Sequence, residues 1–473
     1  MTRGLKVTLA LGGIVVLGYV GASWYAGQIA QQSIVSWVDQ TNQDIQRQWT
    51  APETPPELQV DDYQRGVFSS QARYIFKFTD QDGQAQSLAV EQALQHGPWP
   101  LEALKNGIWQ PLAAYSHLQP LPDGAWQPWF DVVADHQVPW QATVQVGFQG
   151  QASGVWTLQP VKTIGELALD FSGGVLRADY TPKQRQTTVT AEAQSLKIQD
   201  DSGLLHFEDL QFQALTTLSG ETDMQSHQTL QASQVRIQQE GAPDLLLHQP
   251  AMLLDLARTG SLLDGRVRYD VEQLSAGKQN LGTLQLQASA QQLNVEAVQA
   301  LMALLAQQQA QDDDGAPLTP QQEQQVREAL LPVLAASPRL ALDAVTWKTD
   351  KGQTDFKAVA QFRPVPQDAD PDLGRTIESA IARVSAHAGV SRPMLMQILR
   401  DTQASSSDGD MAVALIGMLF DRYSGRLRRA ELLREQDGQL QVDISYADGV
   451  VTINDREMTP PELSGRLSAA LGE

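Results

Sequence analysis

The chain of 473 residues contains no cysteine. That excludes a disulfide framework, thiolate metal sites and thiol nucleophiles. It leaves an oxidising compartment open, because a chain this long can build a core without covalent staples. Positive charge is also scarce: 34 Lys and Arg against 55 Asp and Glu give a formal net charge of −21. A chain so acidic does not neutralise a phosphate backbone, so no nucleic-acid partner is expected. Broad electrostatic adsorption to anionic lipid is disfavoured for the same reason. Only 19% of residues are charged and 42% are hydrophobic, so real cores rather than extensive disorder are expected.

Catalytic motifs are lacking. There is no Walker A, G-x-S-x-G or H-E-x-x-H pattern, and the seven histidines (His96, His117, His136, His206, His227, His248, His387) form no H-x-x-x-H pair. No catalytic residue, metal or cofactor is expected, and the chain reads as a non-enzyme. The run Asp368-Ala-Asp370-Pro-Asp372 has a calcium-loop flavour. An EF-hand needs Gly at its sixth position and Glu at its twelfth, where this chain has Leu373 and Ser379. An acidic N-terminus for a following helix accounts for the run.

One long apolar run exists. Arg3 and Lys6 precede an uncharged stretch from Val7 to Ala26, and the next charged residue is Asp39. About twenty helical residues at ~1.5 Å each span a bilayer core. Val7, Leu11, Ile14, Leu17 and Val20 would face lipid, with Trp24 and Tyr25 at the outer headgroups. Both early cations precede the run, so the positive-inside rule puts the N-terminus in the cytoplasm and the rest outside. Val20-Gly21-Ala22 also has the small-residue look of a signal-peptide cleavage site. The greater length of the run, and its continuation through Ile29, Ile34, Trp37 and Val38, favour an uncleaved anchor.

Four segments are expected: an anchor over 1–27, a juxtamembrane helix and Pro-rich linker over 28–62, a mainly β region over 63–290, and mixed helices and hairpins over 291–473. A helix over Gln28 to about Gln48 ends before Pro52, Pro55 and Pro56. Tyr74, Phe76 and Phe78 then alternate, and Asp82-Gly83 is a hairpin signal. The stretch His96 to Trp140 holds Trp99, Trp109, Trp126, Trp129 and Trp140 and reads as irregular, aromatic-packed structure. From Gln141 to Ala290 strands alternate (Val144, Val146, Phe148; Leu167, Leu169, Phe171; Leu284, Leu286). Turn signals lie at Gly173-Gly174, Asp201-Ser202-Gly203 and Ser219-Gly220. Beyond it, helices are expected at Val295–Gln309, Pro320–Leu334, Asp372–His387, Ser391–Thr402 and Met411–Gln436. Hairpins turn at Lys351-Gly352 and Asp448-Gly449, and Thr459-Pro-Pro-Glu462 is a capping box. The fold class is therefore α+β: an N-terminal transmembrane helix, then a large curved antiparallel sheet or open half-barrel with covering helices.

Several stretches together resemble the YdgA-like family of bacterial envelope proteins of unknown function. They are Gly21-Ala-Ser-Trp-Tyr-Ala-Gly27, Tyr63-Gln-Arg-Gly-Val-Phe-Ser-Ser-Gln71, His96-Gly-Pro-Trp-Pro-Leu101 and Ile444-Ser-Tyr-Ala-Asp-Gly-Val-Val-Thr-Ile-Asn454 with Met458. Asp455 departs from the glycine usual after this asparagine, so a looser tip is expected there. The resemblance implies an inner-membrane protein facing the periplasm and transfers no catalytic residue. A more distant analogy is to AsmA-like envelope proteins, which pair an anchor with long β structure and are thought to carry lipid along an apolar groove.

Candidate contact residues are few. Two prolines hold Trp99 extended, either as a recognition surface or as a corner packed into the core. Arg65-Gly66 before Val67-Phe68 reads as an unusual backbone leading into a strand or as a partner site. Met411 to Phe420 is apolar but too short to span a bilayer, and Arg422, Arg426, Arg428, Arg429 and Arg434 follow it. The segment is either a buried helix followed by a solvated one, or an amphipathic element whose Arg426, Arg428 and Arg429 contact anionic lipid. Three functions compete: binding or passing lipid or another apolar ligand in the envelope, an envelope scaffold that self-associates as a homo-oligomer, and, with no motif in its favour, a hydrolase.

Overall fold

The computed structural model describes residues 38–43, 45–46, 54–65, 69–80, 83–96, 99–133, 137–220, 222–311, 319–365, 372–403, 409–436 and 438–471. Among them no helix is long and apolar enough to cross a membrane. The expected anchor, with Val7, Leu11, Ile14, Leu17, Val20, Trp24 and Tyr25, lies outside the described residues. So do Gly66-Val67-Phe68 and the acidic positions Asp368 and Asp370. The protein is mostly antiparallel β-sheet with some helices, and it divides into two compact units, Met1–Gly241 and Ala242–Glu473. The change from strands to helices read near residue 290 falls inside the second unit.

The first unit is an antiparallel meander. Its strands are β1 (Glu57–Arg65), β2 (Ser69–Thr79), β3 (Ala85–His96), β4 (Ala114–Pro120), β5 (Trp140–Val146), β6 (Ala152–Leu158), β7 (Val161–Lys162), β8 (Ala168–Phe171), β9 (Gly174–Thr181), β10 (Gln186–Asp200), β11 (Gly203–Leu218), β12 (Met224–Gln231) and β13 (Gln234–Gln239). Each of β1 to β5 pairs with the next, then β6 with β9, β9 with β10, and β10 with β11. Beside β1, helical Asn42 receives Leu58 N–H on its Oδ1 at 2.8 Å and donates Nδ2 to Leu58 O at 2.9 Å. One amide side chain thus satisfies the strand's outward-facing backbone pair as a neighbouring strand would.

Two long strands, β10 and β11, are each faced by a broken partner. β8 and β9 both pair with β10, and β12 and β13 both pair with β11. Gly173-Gly174, read from the sequence as a turn, is therefore a kink between two pieces that run in the same direction. Serines bridge the breaks. Ser172 N–H donates to Ser195 O, Ser195 N–H donates back to Ser172 Oγ, and Ser233 N–H donates to Glu208 O, all at 3.0 Å. Across this line the apolar positions slip phase, from Ala191 and Ala193 to Leu196 and Ile198. Asp209 takes φ +50° opposite, which is how strict alternation is lost without a change of pairing. Phe148, read as continuing the Val144–Val146 face, sits beyond the strand end and is 63% exposed.

The second unit contains β14 (Leu245–His248), β15 (Ala251–Thr259), β16 (Leu262–Ala276), β17 (Gln279–Asn294), β18 (Arg339–Thr349), β19 (Gly352–Phe362), β20 (Ile381–Val390), β21 (Arg434–Gln436), β22 (Gln439–Ala447), β23 (Val450–Ile453) and β24 (Arg456–Met458). The order runs β15-β16-β17-β18-β19-β20-β22-β23-β24, with β14 extending β15 along β16 and β21 beside β22. Asn454 and Asp455 take φ +48° and +68°. The aspartate therefore adopts the left-handed conformation of a type I′ turn and joins β23 to β24, where a looser tip was expected.

Helices occupy the connections. In the first unit α1 (Leu101–Lys105) and α2 (Gln127–Val132) interrupt the Trp-rich stretch. In the second, α3 (Val295–Gln311) and α4 (Pro320–Ala335) link β17 to β18, α5 (Leu373–Ala380) precedes β20, α6 (Arg392–Gln403) and α7 (Gly409–Arg429) precede β21, and α8 (Pro460–Leu471) closes the chain. The helix expected over Asp372–His387 is only α5; from Ile381 the β-branched and small alternation pairs with β19 instead. Asp372 caps α5, its Oδ1 accepting from Arg375 N–H at 2.9 Å. The α8 capping box forms as expected: Thr459 N–H donates to Glu462 Oε2 at 2.7 Å, which holds that carboxyl below its ordinary value of 4.5.

Candidate functional site

The same alternation lines one face of each unit, but the two faces meet different surroundings. In the first unit, same-face residues run across neighbouring strands as Leu118, Ala142, Trp156, Leu176, Ala191 and Phe212. A parallel row runs Ser116, Val144, Gly154, Ala178, Val189 and Ala214. The second row is closed: Ser116 is 1%, Val144 3%, Ala178 0% and Val189 8% exposed. Trp126, itself 2% exposed, packs into this cluster with Trp129 and Phe130 from α2. Its ring meets Trp140 edge-on at 6.0 Å. Gly154 is needed beneath the Trp156 indole, whose ring atoms lie 2.5 Å from where a Cβ would stand. At the edge of this face a buried polar chain crosses three strands: Tyr74 Oη donates to Gln92 Oε1 at 2.8 Å, and Gln92 Nε2 to Ser116 Oγ at 3.0 Å. Burial pushes the Tyr74 phenol well above its ordinary range.

In the second unit one row runs Leu254, Val267, Ala288, Leu342, Ala358, Ala386, Ile444. Its neighbour runs Met252, Tyr269, Leu286, Val345, Phe356, Ala388, Val442. A bulge between Leu342 and Val345 keeps both on this face although their spacing breaks period two. All fourteen positions are half-buried or exposed, and Tyr269, Phe356 and Ile444 are 46%, 39% and 40% exposed. Flanking contacts close only the margins. Met394 of α6, 1% exposed, receives the Thr354 hydroxyl on its sulfur at 3.8 Å. Leu427 and Leu463, from α7 and α8, pack with Tyr446, Val442 and the buried Val451 and Ile453. Between these margins lies an apolar face several strands wide.

Two polar constellations sit elsewhere on the sheets. Ser195 Oγ is 3.0 Å from His206 Nε2, and His206 Nδ1 is 3.5 Å from Glu208, a Ser–His–acid order across β10 and β11. The Ser195 N–H already donates to Ser172 Oγ, so the donor an oxyanion would need at that nucleophile is spent. The second constellation lies across β19 to β22. His387 Nε2 is 3.1 Å from Asp355 and Nδ1 is 2.7 Å from Asp443, which also pairs with Arg434. Sequence reasoning missed both, because each is assembled by cross-strand register rather than by spacing along the chain. Among the described residues no group of three or more His, Asp or Glu is placed to hold a metal ion.

The contact residues named from sequence fall in two places, ahead of α1 and along α7. Trp99 is 55% exposed ahead of α1, so it is not packed into the core, and Trp109 and Leu101 nearby are 75% and 70% exposed. The Met411–Phe420 stretch is not a buried helix followed by a solvated one; it is the first half of the single helix α7. Met411, Leu415 and Met418 are 75%, 56% and 70% exposed on it, while Val413, Gly417 and Ser424 face inward. Arg426 is half-buried, and Arg428 and Arg429 are exposed. Arg428 pairs with Glu435 at 2.5 Å.

The family model for a bacterial protein of unknown function (DUF945) matches residues 4–461. The chain belongs to this family. Across 97% of its length it is 24% identical to Protein YdgA of Escherichia coli K12, covering 96% of that protein. It is 21% identical to the uncharacterized protein YihF of the same organism, over 97% of this chain and 98% of that one. No solved structure matches. The family assignment agrees with the resemblance carried by the Tyr63–Gln71 and Ile444–Asn454 stretches; the latter forms the β22–β23 hairpin at the margin of the bare face.

Proposed function

We propose that this family member is a non-enzymatic protein of the bacterial envelope that binds or passes a lipid or similar apolar ligand along the bare face of its second unit. In this reading Val7–Ala26 anchors it in the inner membrane and the rest lies on the periplasmic side. The observation that carries the ligand reading is the pair of apolar rows from β15 to β22, which no second layer among the described residues buries. Each methylene of an acyl chain laid against such a surface contributes ~0.8 kcal/mol, so a lipid needs no polar chemistry to be held there. The spent Ser195 amide argues against acyl transfer at the Ser–His–Glu row.

Native mass spectrometry of the gently solubilised full chain tests this. Wild type is expected to carry lipid masses, and Leu286→Lys with Phe356→Lys is expected to lose them while melting normally. Lipid-free wild type, or equal loading of the variant, overturns the reading. The alternative is an envelope scaffold that self-associates, which would close the same face with a second copy. The same spectra then show lipid-free dimers. A reporter enzyme fused after Glu473 and active only in the cytosol would remove the envelope placement.

A further inference from the structure

Helix α7 presents two arcs. Val413, Gly417, Phe420, Ser424 and Leu427 recur at helical spacing on the inner one, where a Cβ at Gly417 would stand 3.3 Å from Met396 Sδ. The outer arc carries Met411, Leu415, Met418 and Leu419, exposed by 75%, 56%, 70% and 41%. In the following turns Arg422, Arg426 and Arg429 continue the same arc, all within about 100° at 3.6 residues per turn. Tyr423, 44% exposed, follows Arg422 and borders the arc. Asp421 points off the arc and is held by Arg392 at 2.6 Å, a contact that depresses its carboxyl. Arg428, named from sequence with Arg426 and Arg429, belongs on that same flank with Asp421 and Glu435. Arg422 takes its place on the arc.

We propose that the outer arc of α7 docks on an anionic phospholipid surface, with Met411, Leu415, Met418 and Leu419 in the acyl layer and Arg422, Arg426 and Arg429 at the phosphates. Charge complementarity selects this occupant: a chain of net charge −21 gathers three arginines on one arc, Arg422 and Arg429 exposed and Arg426 half-buried, directly beyond an exposed Met/Leu surface. Along the helix the exposed apolar positions precede the arginines, so one end of the arc suits the acyl layer and the other the phosphates. Long arginine stems also bury their methylenes while the heads reach phosphate. The site is separate from the bare sheet face and stands or falls independently of it.

The absence of cysteine allows a clean test on the full chain reconstituted in nanodiscs. Leu415→Cys carries an environment-sensitive fluorophore, and Gln273→Cys serves as the control position. Emission at 415 is expected to shift to the blue in discs containing phosphatidylglycerol and not in pure phosphatidylcholine, with no change at 273. Each Arg→Gln substitution at 422, 426 or 429 is expected to lower the docked-to-undocked ratio roughly fivefold, and all three together roughly a hundredfold. Arg428→Gln should leave it unchanged. A probe indifferent to lipid charge overturns the proposal, as does a shift that survives the triple substitution. So does a Leu415→Cys disulfide dimer that forms without lipid, which would assign the arc to a second copy.

Discussion

The two units use the same device to different ends. In both, cross-strand rows of apolar side chains line one face of an antiparallel sheet. In the first, the segment Gly124-Ala-Trp-Gln-Pro-Trp-Phe130 folds back across the rows, and Trp126 and Val144 fall to 2% and 3% exposure. In the second, the long connections become helices that pack at the margins, and Phe356 and Tyr269 remain 39% and 46% exposed. Alternation therefore specifies that a face will be apolar, while a different part of the chain decides whether that face becomes a core or a surface. Large apolar faces left open on a folded protein mark interaction sites, so the proposed ligand site lies on the second unit rather than on the more aromatic first.

That contrast can be broken in four ways, beginning with the largest effect. Trp126→Ala should destabilise the first unit by about 3–5 kcal/mol, and denaturant unfolding should show its transition moving well ahead of the second unit's. If both units move together, the faces are not independently stabilised. The same chemical change made in each face sharpens the point. Val144→Gln buries an amide and should cost about 3 kcal/mol, whereas Leu342→Gln meets solvent and should cost ~1 kcal/mol or less. Equal costs would mean the second face is covered after all. Gln92→Leu takes the acceptor from Tyr74 and the donor from Ser116, for an expected loss of about 1–3 kcal/mol in thermal melts.

The smallest effect is at the capping box of α8, beside the margin of the bare face. The Glu462 carboxyl is held below its ordinary 4.5 by Thr459. Its stabilisation is therefore present above that value and lost as pH falls through the depressed one. Glu462→Gln should flatten this acid dependence in a pH-resolved melt; an unaltered profile would show that the box does not stabilise the helix.

Much of this was legible in the chain. The hairpins at Lys351-Gly352 and Asp448-Gly449, the capping box at Thr459 and the strand pattern of Val144 and Leu284 all follow from local chemistry, in which turn residues and side-chain period act within a few positions. Gly173-Gly174 misled because a double glycine permits a kink as readily as a reversal, and only pairing with β10 distinguishes them. Ile381–Val390 misled because its helical neighbours masked a strand that exists through its contacts with β19 and β22. Composition alone marks the α7 segment as unusual, but which of its arcs faces outward depends on which side Met396 occupies.

What the sequence determined by itself is local or cumulative: the acidic charge, the freedom from thiol chemistry, the apolar run at the start, the periods and the turns. Each depends on residues near one another along the chain. What only the tertiary structure decided is coverage: that Trp126 is spent on closing the first face while, among the described residues, no aromatic segment closes the second, and that Met411 and Leu415 point outward. Burial is a relation between segments far apart in sequence, set by whichever packing excludes the most water for the whole chain, and no local pattern encodes it.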